Sequence, residues 1–286
     1  MWIFYALLSA FFSGTTSILE NICIRHVNST LATALRTIVV LVFAWVMVLI
    51  VGSQNGLLSL RPETWLFLVF SGLATGASWL CYFKALQLGE VNKVAALDKS
   101  SVVLTLILAL ILLGEPLSFL KSAAILLIAV GTLLMIQKQP IDREAKTRSW
   151  ILYALLSAVF ASLTTILGKV GIDGVEANLG TAIRTTVVLV MSWLVVSMTS
   201  QQVPLKEIDR KELTFIFFSG LATGASWLFY YRALQDGVTS AVVSIDKLSI
   251  VVTVGFSYFM FGEKLTTKAL LGLVLIIAGT FGIMLG

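Results

Sequence analysis

FSGLATGASW at Phe70–Trp79 returns letter for letter as Phe218–Trp227, 148 residues further along. Working outward, the same offset holds everywhere. Trp2-Ile3 pairs with Trp150-Ile151, LATALR (Leu31–Arg36) with LGTAIR (Leu179–Arg184), and Asp98-Lys99 with Asp246-Lys247. Gly114-Glu115 pairs with Gly262-Glu263. Residues 1–138 align with 149–286 without a gap, and roughly two-fifths of the aligned positions are identical. A period this long is a duplicated domain, not a solenoid repeat of the usual 20–50 residues. The expected division is a first repeat over 1–138, a linker over 139–148 and a second repeat over 149–286.

Composition sets the class. Hydrophobic residues make up 58% of the chain and charged residues 12%, with a mean hydropathy of +0.98. Soluble domains carry about 25% charged residues, so this inventory cannot build a water-exposed surface. The reading is an all-α polytopic membrane protein. Turn residues separate apolar runs near 2–24, 31–51, 64–87, 93–113 and 118–137, then near 150–172, 179–199, 212–236, 241–261 and 266–286. Each is about the 20 residues that a bilayer core requires of a helix. The first run lacks a basic leader and its copy sits mid-chain, so both are read as spans rather than a signal peptide.

Five spans per repeat is an odd number, so the second repeat enters the membrane upside down relative to the first. Ten helices as two inverted-topology five-helix repeats form the scaffold of many alternating-access transporters. The basic residues follow the inversion. Let side A be the face of the N-terminus and side B the other. Side B collects Arg25, Lys84, Lys93, Lys138, Arg143, Lys146, Arg148, Lys206, Arg210, Lys211, Lys264 and Lys268, against Arg61, Lys121, Lys169 and Arg232 on side A. By the positive-inside rule side B is cytoplasmic and both termini are non-cytoplasmic.

With ten spans, the doubled five-span unit and Gly-Glu after the fourth span of each (Gly114-Glu115, Gly262-Glu263), the chain resembles the EamA-type members of the drug/metabolite transporter superfamily. The resemblance covers the whole chain and is closest in character to stand-alone five-span members, two of them fused. It implies a multi-pass transporter of the bacterial inner membrane, with neither enzymatic activity nor cofactor. Two departures stand out. Members of the family are usually drawn with cytoplasmic termini, against the charge count here. The small multidrug exporters of the superfamily carry a glutamate mid-span in their first helix, where this chain reads Phe12-Ser13-Gly14 and places Glu20 two turns later.

Polar residues inside spans are costly and usually face a cavity or a partner. Thr75, Ser78 and Tyr82 share one face of span 3, flanked by Trp79, and Thr223, Ser226, Tyr230 and Trp227 repeat the pattern in span 8. One reading makes these eight residues the substrate-binding wall at the midplane. The other gives the hydroxyls and the Gly-xxx-Gly patterns to helix packing. A second set of residues falls nearer the two faces: Glu20, Arg36, Asp98 and Lys99 towards side B, and Arg184, Asp246 and Lys247 towards side A. Either Arg36–Asp98 and Arg184–Asp246 are ion pairs that gate the two mouths, or the cationic surplus binds an anionic group.

Several classes drop out. There is one histidine, His26, so no nucleophile-histidine-acid set and no catalytic residue is expected. Cys23 and Cys81 lack metal-ligand spacing, and no metal site is expected. Scattered basic residues do not make a nucleic-acid surface. The expected partners are a small-molecule substrate and the lipid bilayer. A homodimer is allowed, with Gly131 and Gly279 of spans 5 and 10 as its contact points, although a monomer suffices. The function read from the sequence is secondary active transport of a small polar metabolite, anionic or zwitterionic, such as an amino acid or related compound. The alternatives are a lipid-carrier flippase and a cationic-drug exporter.

Overall fold

The computed structural model describes residues 1–23, 29–88, 94, 97–98, 100–116, 118–135, 149–199, 208–261 and 266–286. Lys99, His26 and the Gly262-Glu263 pair lie outside the described residues, as does the side chain of Glu20. The first repeat holds α1 (Trp2–Cys23), α2 (Ser29–Val51), α3 (Pro62–Leu88), α4 (Ser101–Leu112) and α5 (Phe119–Met135), with a 3-10 segment at Ser53–Ser59. The second holds α6 (Ser149–Gly171), α7 (Ala177–Thr199), α8 (Arg210–Asp236), α9 (Thr239–Asp246), α10 (Ser249–Phe261) and α11 (Thr267–Leu285). Among the described residues, eight segments are long and apolar enough to span a bilayer, one of them running from α9 through α10, and α4 and α5 are shorter apolar helices. The architecture is all-α, with ten helical crossings in two inverted repeats.

Inversion is visible where symmetry mates touch. α5 and α11 are copies of one another and pack in reverse order. A Cβ added at Gly131 would stand 2.7 Å from the carbonyl oxygen of Gly272, and one at Gly279 would stand 2.8 Å from that of Ala124. Each contact becomes the other when 148 is added or subtracted, so the two copies run antiparallel. The glycines expected at a dimer contact are therefore consumed inside the chain, because only a missing side chain allows two backbones to come this close.

The principal contacts join one repeat to the other. α1 packs on α8, and its copy α6 packs on α3; α8 also packs on α2, and α3 on α7. Gly72 lies against Val187, and its copy Gly220 against Val39, with prospective Cβ separations of 2.7 and 2.6 Å. The shared decapeptide thus has a clear packing task. Its small residues let α3 and α8 bring their backbones close to the opposite repeat. The two repeats interleave as one body.

One departure from the expected spans matters for function. The spans read over 93–113 and 241–261 are not continuous α-helices. In the second repeat α9 ends at Asp246, and Lys247-Leu248 form a turn before α10. There Leu248 N–H donates to Ile245 C=O at 2.9 Å and Val251 N–H to Leu248 C=O at 2.9 Å. These are i→i−3 bonds, the tighter 3-10 pattern that often marks a functional hinge within a longer helix. The first repeat repeats the device, since Ser100 N–H donates to Leu97 C=O at 3.0 Å just before α4. Discontinuous helices are where transporters commonly build their binding sites.

Candidate functional site

Two seams of hydroxyls hold the centre. Between α3 and α6, Ser78 Oγ donates to the Ser157 carbonyl at 3.0 Å, and Thr75 Oγ1 and Thr164 Oγ1 lie 3.2 Å apart. Between α8 and α1, Ser226 Oγ donates to the Ser9 carbonyl at 3.1 Å, and Thr223 Oγ1 and Thr16 Oγ1 lie 3.3 Å apart. Each seam ends on an acid at the broken helix. Ser157 Oγ donates to Asp98 at 2.8 Å, and Ser9 Oγ to Asp246 at 3.0 Å. In a low-dielectric interior an unpaired hydroxyl is costly, so these side chains spend their hydrogen bonds on the neighbouring helix.

Between the seams is a cavity of about 280 Å³ lined from both repeats. Ser9 and Ser13 come from α1, Ser101 and Thr105 from α4, and Thr164 and Thr165 from α6. Arg184 comes from α7, Ser226, Trp227, Tyr230 and Tyr231 from α8, and Asp246 and Lys247 from the break after α9. The side chains expected at the site therefore divide. Ser226, Trp227 and Tyr230 line the cavity. Thr75, Ser78 and Thr223 serve the seams instead. Trp79 and Tyr82 are half-buried away from the cavity wall, and Tyr82 packs beside Ala85, Val94 and Trp150.

Arg184 is the centre of the site. It is only 3% exposed. Its Nε donates to Ser71 Oγ at 3.0 Å and its Nη2 to Thr75 Oγ1 at 2.7 Å. The guanidinium carbon lies 5.0 Å from the Trp227 ring centroid and 4.9 Å from that of Tyr231, within cation–π range of both. The third nitrogen, Nη1, is buried with no hydrogen-bond partner. Arg184 does not pair with Asp246, which corrects the expected gating ion pair on this side. The hydroxyls of α3 and the aromatic faces of α8 hold the cation at the depth of Thr75 instead of at the mouth. Arg36 is half-buried on α2, and its backbone carbonyl lies against Gly220.

Among the described residues the cavity thus gathers two cationic side chains, Arg184 and Lys247, and one carboxylate, Asp246. Within the described residues the Lys247 side chain has neither a hydrogen bond nor an ion pair, and the Asp246 carboxylate accepts a hydrogen bond from Ser9. Thr165 Oγ1 and the Tyr230 hydroxyl lie 3.4 Å apart and close one wall. Such a site can hold a small solute by an anionic group near the Arg184 guanidinium, a polar or cationic group near Asp246, and a flat or apolar part against the indole.

Sequence reasoning missed Thr164, Thr165 and Tyr231, and missed the helix breaks. A signal was present. Thr164-Thr165 copies the Thr16-Ser17 pair, and Asp-Lys recurs at the same place in both repeats, where a continuous lipid-facing helix has no use for it.

The comparisons with known proteins agree with this architecture. The model of the EamA-like transporter family matches twice, over residues 1–137 and 148–285. A curated relative described as an uncharacterized transporter in the cobO 3' region of a Sinorhizobium species is 42% identical over 134 residues, which cover 47% of this chain and 95% of the relative. That relative is therefore about one repeat long. A solved crystal structure, 16% identical, superposes with a TM-score of 0.81 over 99% of this chain and 97% of the other, and shows the same fold. The family match spans both repeats, and the chain belongs to the EamA-like transporter family.

Proposed function

We propose that the chain is a secondary active transporter that moves a small anionic or zwitterionic metabolite by alternating access around the central cavity. Its place is a bacterial inner membrane, with both termini on the non-cytoplasmic face. The observation that carries this reading is Arg184, which lines the cavity while its Nη1 is buried without a hydrogen-bond partner. A buried guanidinium with an unused donor carries a desolvation cost that an anion can offset. Trp227 and Tyr231 hold the guanidinium in place, so its planar donors are preorganised for a carboxylate. The cavity volume lies just below the range of ordinary small-molecule pockets, which suits a metabolite more than a large drug.

The flippase reading draws on a different feature. A lateral groove of about 460 Å³ is lined by Tyr5, Phe43, Met47, Phe229 and Arg232 among others. It shares no lining residue with the central cavity, so a lipid in it would not reach Arg184.

The test is uptake into proteoliposomes of radiolabelled amino acids, organic anions and quaternary cations. Saturable uptake of an anionic or zwitterionic compound, lost in Arg184→Gln, supports the proposal. Saturable uptake of cations alone overturns it.

A further inference from the structure

On side A of the cavity, the corner between α8 and α9 is held by charge from both directions. Lys169, at the end of α6, donates its ammonium to the last carbonyls of α8 and to the corner: those of Leu234, Gln235 at 3.3 Å and Gly237 at 3.1 Å. Glu115, from the turn after α4, accepts the first N–H groups of α9. Its carboxylate lies 2.6 Å from Thr239 N and 3.2 Å from Ser240 N. Gly114 turns the chain towards this contact with φ of 65°, a conformation that favours glycine. A cation on a helix C-terminus and an anion on a helix N-terminus are each the favourable sign for the helix dipole. Gln235 fastens the corner to the preceding loop through the carbonyls of Ile172 and Val175, and Trp2 lies against Gly237.

This corner is the link between the two walls of the site. Upstream it carries Trp227, Tyr230 and Tyr231, and downstream Asp246 and Lys247. Parting α8 and α9 from α6 and from the Glu115 turn would break all of these contacts. The sequence makes this fastening one-sided. Glu115, Gln235 and Gly237 have identical copies in Glu263, Gln87 and Gly89, but the copy of Lys169 is Asn21.

We propose that Lys169 and Glu115 are positioning residues that latch side A shut, and that the missing lysine in the first repeat biases the transporter towards the side-A-closed state. The inference rests on the alternating-access reading above. Its test reports access alone, so it can fail while transport stands, and it can succeed before any substrate is known.

The experiment is thiol labelling of Ser13→Cys, placed in the cavity, in a chain carrying Cys23→Ser and Cys81→Ser. A membrane-impermeant maleimide is applied from side A to vesicles of known orientation. The parent should label slowly. Lys169→Asn should raise the side-A rate by about tenfold or more, since it removes a half-buried cation from three fixed carbonyl acceptors. Lys169→Arg should stay near the parent rate, and Glu115→Gln should give a smaller increase. Glu115→Gln also guards against a Lys169→Asn chain that fails to fold, and the folded fraction of every variant is read by size-exclusion chromatography. A parent that labels rapidly from side A overturns the latch. So does side-A labelling that is the same in Lys169→Asn, Glu115→Gln and Lys169→Arg.

Discussion

Trp79 and Trp227 close identical ten-residue stretches, yet only Trp227 lines the cavity. The seams around them are nearly superposable. The pairs Ser78–Ser157 and Ser226–Ser9 have hydrogen bonds of 3.0 and 3.1 Å, and the matching threonine pairs lie 3.2 and 3.3 Å apart. Contacts that hold the scaffold keep the duplication's symmetry, whereas contacts that face the cavity break it. The difference teaches that local sequence fixes the packing edge of these helices, while the packing around the cavity decides which copy of each residue faces it.

The comparison can be broken most strongly at Arg184. Arg184→Gln should lower affinity for the transported compound by roughly 10- to 100-fold, the effect of losing a charge-assisted hydrogen bond of about 1.5–3 kcal/mol. Equilibrium binding measures this. The symmetric scaffold is sharpened at the α5–α11 contact. Gly131→Leu and Gly279→Leu should each destabilise by about 1–3 kcal/mol through overpacking, by equal amounts because their contacts are mates. Melting temperatures of the pair check this, and a large inequality would refute the symmetry of that seam. Next comes the tryptophan pair. Trp227→Ala should weaken binding by about tenfold, the cost of ~1–2 kcal/mol of cation–π and aromatic contact. Trp79→Ala should leave binding nearly unchanged. The smallest effects belong to Ser78→Ala and Ser226→Ala, each about 1 kcal/mol in stability, with only Ser226→Ala also touching ligand affinity.

Much of the fold was legible because it depends on periodicity. The 148-residue offset, the ten apolar runs and the odd span count led directly to inverted repeats. The faces of α3 and α8 were legible too, since Thr75, Ser78, Thr223 and Ser226 do share one edge. What that edge meets was not legible. A hydroxyl on a helix can line a cavity or bond to a neighbouring carbonyl, and only the approach of α6 and α1 decides between them. Arg184 was placed by its distance along α7, which brought it near a mouth. Its seat beside Thr75 depends on how α7 crosses α3, a tertiary fact. The helix break at Lys247-Leu248 escaped for a related reason. The recurrent Asp-Lys pair marks the place, but no proline or glycine announces a turn there.

The most direct test of the central claim is thermal stabilisation of the purified protein across amino acids, organic anions, nucleotide sugars and quaternary cations, run on the native chain and on Arg184→Gln. A ligand of the folded state raises the melting temperature with concentration. The account predicts that an anionic or zwitterionic compound stabilises the native chain and not Arg184→Gln. Stabilisation by the same compound in both chains, or by cations alone, would contradict it.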